Sequence, residues 1–123
     1  MKVKIDTREK FHVITIQEPH FAANMTEEMD SKLIPLLDYN VKNVIVNFQD
    51  IQTLDTAAAE HILALQHQYY DLNASFVVCG LQPGVKKTFI DLDLLDQLNH
   101  TPTESEAMDI VQMEEIEREL GDI

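Results

Sequence analysis

Val44-Ile45-Val46-Asn47-Phe48 is a nearly unbroken run of apolar, mostly β-branched residues, and Gln49-Asp50-Ile51-Gln52-Thr53-Leu54-Asp55-Thr56-Ala57-Ala58-Ala59 follows it directly. A strand with one wet face alternates apolar and polar residues, whereas a strand covered on both faces reads as continuous. Residues 44–48 therefore predict an inner strand of a sheet with parallel pairing. Asp55 then suits a helix N-cap. Beyond it Ala58, Ile62, Leu65, Tyr69 and Leu72 recur at steps of four, three, four and three, the spacing of one helix face. Buried strand, loop and amphipathic helix make one unit of an α/β fold.

Downstream, Ser75-Phe76-Val77-Val78-Cys79-Gly80-Leu81 reads as a second buried strand, broken by Gln82-Pro83-Gly84. Val85, Phe89 and Leu92 support a short helix, and Leu94, Leu95 and Leu98 lead to a short last strand around Gln97 to His100. Two capping boxes then compete: Thr101 with Glu104, with Pro102 at the first helical position, and Thr103 with Glu106. The helix they open, at about 103–120, carries Ala107, Ile110, Val111, Ile116 and Leu120, and Gly121 suits its end. Its acidic run Met113-Glu114-Glu115-Ile116-Glu117-Arg118-Glu119-Leu120 reads as an amphipathic helix covering the core, with an interaction helix as the alternative.

Upstream, Val3 and Ile5, then Phe11 to Ile16, predict an antiparallel hairpin turning at Asp6-Thr7-Arg8-Glu9-Lys10. Lys2 and Lys4 would discourage further pairing at its edge. Glu18 to Asn24 reads as a loop, and Asn24 with Glu27 as a helix start. Met25, Met29, Leu33, Leu36 and Leu37 share one helical face, in which Pro35 predicts a kink or an early end. The order is β-β-α-β-α-β-α-(β)-α. It predicts a mixed sheet of four to five strands with an N-terminal antiparallel hairpin and about four helices packed against it, as one domain over residues 1–123 with a core at about 3–111.

Bulk properties narrow the function. The 123 residues carry 22 acids against 9 bases, a net charge of −13, which disfavours contact with nucleic-acid backbones and anionic membrane surfaces. Hydrophobic residues make up 45% of the chain, which argues against disorder. Cys79 is the only cysteine, so no internal disulfide can form. It sits in an apolar run that predicts burial, and a reducing, cytoplasmic setting is expected. Met1 to Asp6 lacks the apolar core of a signal peptide, and no apolar stretch approaches the roughly 20 residues that span a bilayer.

Catalytic and metal-binding patterns are missing. His61 and His67 are six residues apart on one helix and point to different faces, and no His-x-x-x-His or Cys-x-x-Cys spacing occurs. Asp91, Asp93 and Asp96 resemble the start of a calcium loop but lack its glycine and closing glutamate, so a solvated acidic surface is expected. There is no Gly-x-Ser-x-Gly and no Gly-rich phosphate loop. No metal, no cofactor and no enzymatic activity are expected. What stands out is Leu54-Asp55-Thr56-Ala57-Ala58-Ala59, where an acid, a hydroxyl and three small residues open a helix. A helix start offers free N–H groups and a partial positive charge, and small side chains leave that backbone within a partner's reach. An Asp cap followed by alanines chosen for helix propensity is the plainer reading.

These residues carry a resemblance. The chain from about Val3 to Val111 resembles a STAS domain, the family of anti-sigma factor antagonists and related modules. The similarity centres on Val44-Ile45-Val46-Asn47-Phe48, Ile51 and Leu54-Asp55-Thr56-Ala57. Phe76-Val77-Val78-Cys79-Gly80-Leu81-Gln82-Pro83-Gly84-Val85 resembles the family's strand, Gly-x-x-Pro turn and short helix, and Leu92 to Leu98 resembles the stretch before its last strand. Bacterial antagonists of this family typically read Asp-Ser-Ser-Gly-Leu at the central turn, and an anti-sigma kinase phosphorylates the second serine. By this likeness Asp55 matches the acid, Thr56 the first hydroxyl and Ala57 the phosphoacceptor, while Ala58 replaces the glycine and Ala59 the leucine.

The resemblance implies a protein-binding regulatory module whose partner is an anti-sigma factor or a kinase-like regulator. With alanine at the phosphoacceptor position, the module is expected to bind constitutively or to use Thr56 as a substitute acceptor. The alternative is a STAS subunit of a bacterial lipid-transport ABC system, some of which carry Asp-Thr-Ala-Gly, with Thr56 touching its ATPase. The implied partner-binding surface comprises Asp55, Thr56, Ala57, Ala58, Glu60 and His61 on the helix, with His20 and Asn24 in the preceding loop.

Overall fold

The computed structural model describes residues 1–121. Strand β1 (Val3–Thr7) pairs antiparallel with β2 (Phe11–Ile16), in a register that sets Val3 opposite Ile16 and Ile5 opposite Ile14. β4 (Asn43–Asn47), β6 (Phe76–Cys79) and β7 (His100–Thr101) extend the sheet with parallel pairing, giving the spatial order β1-β2-β4-β6-β7. A separate parallel ribbon joins β3 (His20–Phe21) to β5 (Thr53–Leu54). Four helices complete the described chain: α1 (Thr26–Leu33), α2 (Thr56–Asp71), α3 (Pro83–Asp91) and α4 (Glu104–Gly121). The expectation of a mixed sheet of four to five strands, with an N-terminal hairpin and about four helices, is met by five strands and four α-helices among the described residues.

The inner strands are covered on both faces, which is why their sequences are continuous. On one face Ile14, Val44, Val46, Phe76 and Val78 meet Met29 and Leu33 of α1, Ile62 and Tyr69 of α2, and Val85 and Phe89 of α3. On the other, Phe11, Val13, Ile45, Val77 and Cys79 meet Ala107 and Val111 of α4. Period-two alternation along β4 and β6 thus feeds two cores from single runs. Polar groups at depth are bonded: Tyr69 donates from its hydroxyl to the Leu33 carbonyl (2.5 Å), and Gln66 Nε2 donates to the Gln97 carbonyl (2.8 Å). Among the described residues no buried side-chain nitrogen or oxygen lacks a partner.

Four boundaries resolve open or mistaken expectations. Asn24 does not cap α1: it lies inside a 3-10 turn at Ala23–Met25, and the helix begins only at Thr26 with Met25 in the cap position. Pro35 ends the helix, as a missing amide must, and the chain continues as a 3-10 turn over Ile34–Asp38. At α4 the second capping register prevails. Thr103 Oγ1 accepts from the Glu106 amide (3.2 Å) and donates to its carboxylate (3.0 Å), while the Thr101 hydroxyl is engaged with the Thr103 carbonyl (2.6 Å). The last strand, expected around Gln97 to His100, is confined to His100–Thr101, because Leu95–Gln97 forms a 3-10 turn.

Candidate functional site

The site lies past the C-terminal ends of the parallel strands, where β4 hands over to α2. Asn47 turns the chain there: its Oδ1 accepts from the Gln49 amide (2.9 Å), and its Nδ2 donates to Glu104 at the start of α4 (3.3 Å). The loop then runs alongside residues 19–21. The Gln52 amide donates to the Pro19 carbonyl (2.7 Å), and the Asp55 amide to the Phe21 carbonyl (3.1 Å). The β3–β5 pairing therefore places His20 beside Thr53 and Asp55. Neither two-residue strand is long enough to show a period in sequence.

Asp55 occupies the cap position of α2 with extended backbone (φ −74°, ψ 156°), yet its side chain makes no cap hydrogen bond. Its carboxylate turns to the neighbouring segment instead. Oδ1 accepts from His20 Nε2 (3.1 Å) and Oδ2 from the Ala23 amide (3.0 Å). A carboxylate only accepts, so Nε2 of His20 carries a proton here. His20 Nδ1 lies 2.7 Å from the Thr53 hydroxyl, which can donate to a neutral ring or accept from a charged one. The imidazole is thus fixed at both nitrogens, and residues 20–23 are clamped to the start of α2. The first turn of α2 keeps the open amides and partial positive charge of a helix start.

Around this clamp the expected residues separate. Thr56, Ala57 and Glu60 are exposed on α2, and Asn24 is exposed in the adjoining turn. Ala58 is not part of the surface: it is fully buried among the core residues, so its side chain offers nothing to a partner. Its small size lets α2 approach the sheet closely. His61 stands apart from the His20–Asp55 pair. Its Nε2 donates to Asp30 Oδ1 of α1 (2.6 Å), tying the two helices together. Thr53, Asp30 and the Ala23 amide are members of the arrangement that the sequence alone did not single out.

The turn after β6 borders the same edge. Gly80 there has φ +72°, a left-handed conformation that favours glycine. Gln82 Nε2 donates to the Gln49 carbonyl (2.8 Å). A Cβ on Gly84 would lie 2.6 Å from the Gln52 carbonyl oxygen, so α3 meets the site loop backbone to backbone. Cys79, at the end of β6, is buried, and burial together with the Glu104 charge pushes its thiol up to about 12. It is held protonated and unreactive. Among the described residues no three His, Cys, Asp or Glu side chains converge as metal ligands would. No helix among them is long and apolar enough to cross a membrane.

Comparison with known proteins places this geometry. The STAS domain family model matches residues 2–107. No curated protein matches the sequence. Among solved structures, an anti-sigma factor antagonist from Mycobacterium paratuberculosis is similar with a TM-score of 0.77 at 10% identity, over 90% of this chain and 93% of that one. The anti-sigma factor antagonist SpoIIAA in its unphosphorylated form is similar at 0.72 and 18% identity, over 90% and 96%. The murine Solute Carrier 26 family member A9 anion transporter is similar at 0.69 and 15% identity, over 85% of this chain but 18% of the transporter. Identities this low speak for a shared fold. The family model spans most of the chain, and its sheet and helices agree with that assignment: the chain belongs to the STAS domain family.

Proposed function

We propose that this chain is a protein-binding regulatory module acting as an anti-sigma factor antagonist, with the exposed start of α2 as its docking surface and no phosphorylation switch at Ala57. One observation carries the reading: Thr56 and Ala57 stand exposed at a helix start whose Asp55 carboxylate is already committed to His20 and the Ala23 amide. The clamp orders the surface before a partner arrives, and small side chains leave the first-turn backbone accessible. The antagonists among the solved structures support this choice. Ala57 has no hydroxyl to accept phosphate, so binding is constitutive or controlled at Thr56. A phosphoryl group on Thr56 would add about −1.5 to −2 charges beside Asp55 and break up a docking surface built for an open helix start.

In this reading the partner is an anti-sigma factor or kinase-like regulator in the cytoplasm, and the chain binds rather than catalyses, without a cofactor. The net charge of −13 disfavours nucleic acid as a partner. A second reading rests on Asp55-Thr56-Ala57 itself: a STAS subunit of a bacterial lipid-transport ABC system, with Thr56 against its ATPase. Affinity purification from the native host, followed by calorimetric titration of the recovered partner, tests both. Recovery of a kinase-like anti-sigma factor, bound at least about tenfold more weakly by Ala57→Glu, is the expected result. Recovery of a transporter ATPase with its permease selects the second reading. Full affinity in Ala57→Glu removes the docking surface from α2. Mass spectrometry after incubation with the recovered kinase distinguishes Thr56 control, which leaves phosphate on Thr56, from constitutive binding, which leaves none.

A further inference from the structure

Helix α4 carries two apolar stripes. Ala107 and Val111 are fully buried against the sheet. Met113, Ile116 and Leu120 follow at steps of three and four and are 56%, 56% and 63% exposed. At about 3.6 residues per turn this second stripe points directly away from the first. The helix is not free to roll it inward. Arg118 donates to the Asn73 carbonyl (3.1 Å) and Asn43 Oδ1 (3.3 Å), and it bonds the Ser75 hydroxyl. Glu114 accepts from the hydroxyls of Ser75 (2.6 Å) and Tyr70 (2.8 Å), and Glu115 from Asn43 Nδ2 (3.0 Å). Rotation would break all of these bonds at once.

Charge says what kind of cover the stripe takes. Asp109, Glu117 and Glu119 are exposed on the outward half of the helix. Its only basic residue, Arg118, is turned inward and engaged. A second copy would set one acidic rim against another, and an anionic lipid surface would be repelled likewise. An amphipathic helix with an apolar centre and basic flanks matches both the stripe and its rim. We propose that the outward face of α4 docks such a helix of a partner protein. Its apolar side chains cover Met113, Ile116 and Leu120, and its Lys or Arg side chains meet Asp109, Glu117 and Glu119. α4 starts beside Asn47 at the site edge, ends beside Asn43 and Ser75 at the other edge, and packs on the sheet face opposite α2. This surface and the Thr56–Ala57 turn can therefore be occupied together.

The probe is a synthetic peptide of about 18 residues made only of Leu and Lys, with Leu spaced three and four apart. It is titrated calorimetrically into the full chain at physiological ionic strength, beside a scrambled peptide of the same composition. The patterned peptide is expected to bind at least about tenfold more tightly than the scrambled one, and Ile116→Asn to cost about tenfold in affinity. The double variant Glu117→Gln, Glu119→Gln should flatten the salt dependence, and Glu27→Gln on α1 should change nothing. Ile116 is exposed, so its variant should melt like the parent. Should it not, Met113→Gln decides the same point. Equal binding of both peptides, or parental affinity in both apolar variants, overturns the proposal. So does sedimentation showing that the chain dimerises through this face, with Ile116→Asn restoring the monomer.

Discussion

The carboxylate of Asp55 bonds His20, 35 residues earlier in the chain, rather than capping its own helix. The pair is about half exposed, so it contributes order more than energy. Replacing His20 by Ala should lower stability by less than about 1 kcal/mol. Asp55→Ala also removes the acceptor of the Ala23 amide and should cost about 1 kcal/mol, less than a buried charged hydrogen bond because the carboxylate is partly exposed. Hydrogen exchange separates the two roles. The Ala23 amide should exchange faster in Asp55→Ala and stay protected in His20→Ala, where Oδ2 remains. Equal exchange in both variants would mean that the ring, not the carboxylate, orders residues 20–23.

Ala57 and Ala58 are neighbours with opposite surroundings, one exposed and one fully buried. Ala58→Leu should overpack the contact between α2 and the sheet and cost about 1–3 kcal/mol. Ala57→Leu should change stability by no more than about 0.5 kcal/mol. Ala57→Glu places an acid in the first turn of α2 and should be neutral or stabilising by about 0.3–1 kcal/mol. Urea unfolding of the three variants checks the ordering. A loss of stability in Ala57→Glu would also undercut its use as a binding probe.

What could be read from the sequence follows from where burial is complete. β2, β4 and β6 show as apolar runs because both faces are covered. α2 shows by its spacing because one face packs on the sheet, although Leu72, at the end of that series, is 51% exposed. The ribbon of β3 and β5 left no trace, since two residues carry no period and their partners are about thirty residues apart. The clamp depends on that ribbon, so Asp55 was legible as a cap position but not as the acceptor of His20 and Ala23. Asn24 failed as a cap for the same reason: Asp55 holds the Ala23 amide, and the chain enters α1 through a 3-10 turn. His61 could be placed on α2, but its tie to Asp30 depends on how α1 lies across it.

Gly84 is where α3 meets the site loop. An added Cβ would sit 2.6 Å from the Gln52 carbonyl oxygen, and a backbone atom cannot step aside as a flexible side chain would. Gly84→Ala should therefore separate α3 from residues 52–53 and cost about 1–3 kcal/mol. Thermal unfolding should show a fall of several degrees, at roughly 4–8 °C per kcal/mol for a somewhat smaller domain. An unchanged melting temperature would show that α3 does not brace the loop.

Alkaline pH probes the core from the other side. Burial, with the Glu104 charge, raises Cys79 from its ordinary 9.0 to about 12. Burial, with the hydrogen bond and charge of Glu114, raises Tyr70 from 10.0 to about 12, and burial raises Tyr69 as well. Each group keeps its proton longer in the folded chain than in the unfolded one. The stability they contribute is fully present below pH 9 and is lost as pH climbs through 9 and 10 toward 12, because the unfolded chain releases protons that the folded chain retains. Urea midpoints should be flat from neutrality to about pH 8.5 and fall steadily above it. Cys79→Ala should delay the onset by removing the group that titrates first in the unfolded chain. Tyr70→Phe should instead flatten the fall above pH 10. A parental curve with no decline before pH 11 would show that these groups are not held protonated by burial.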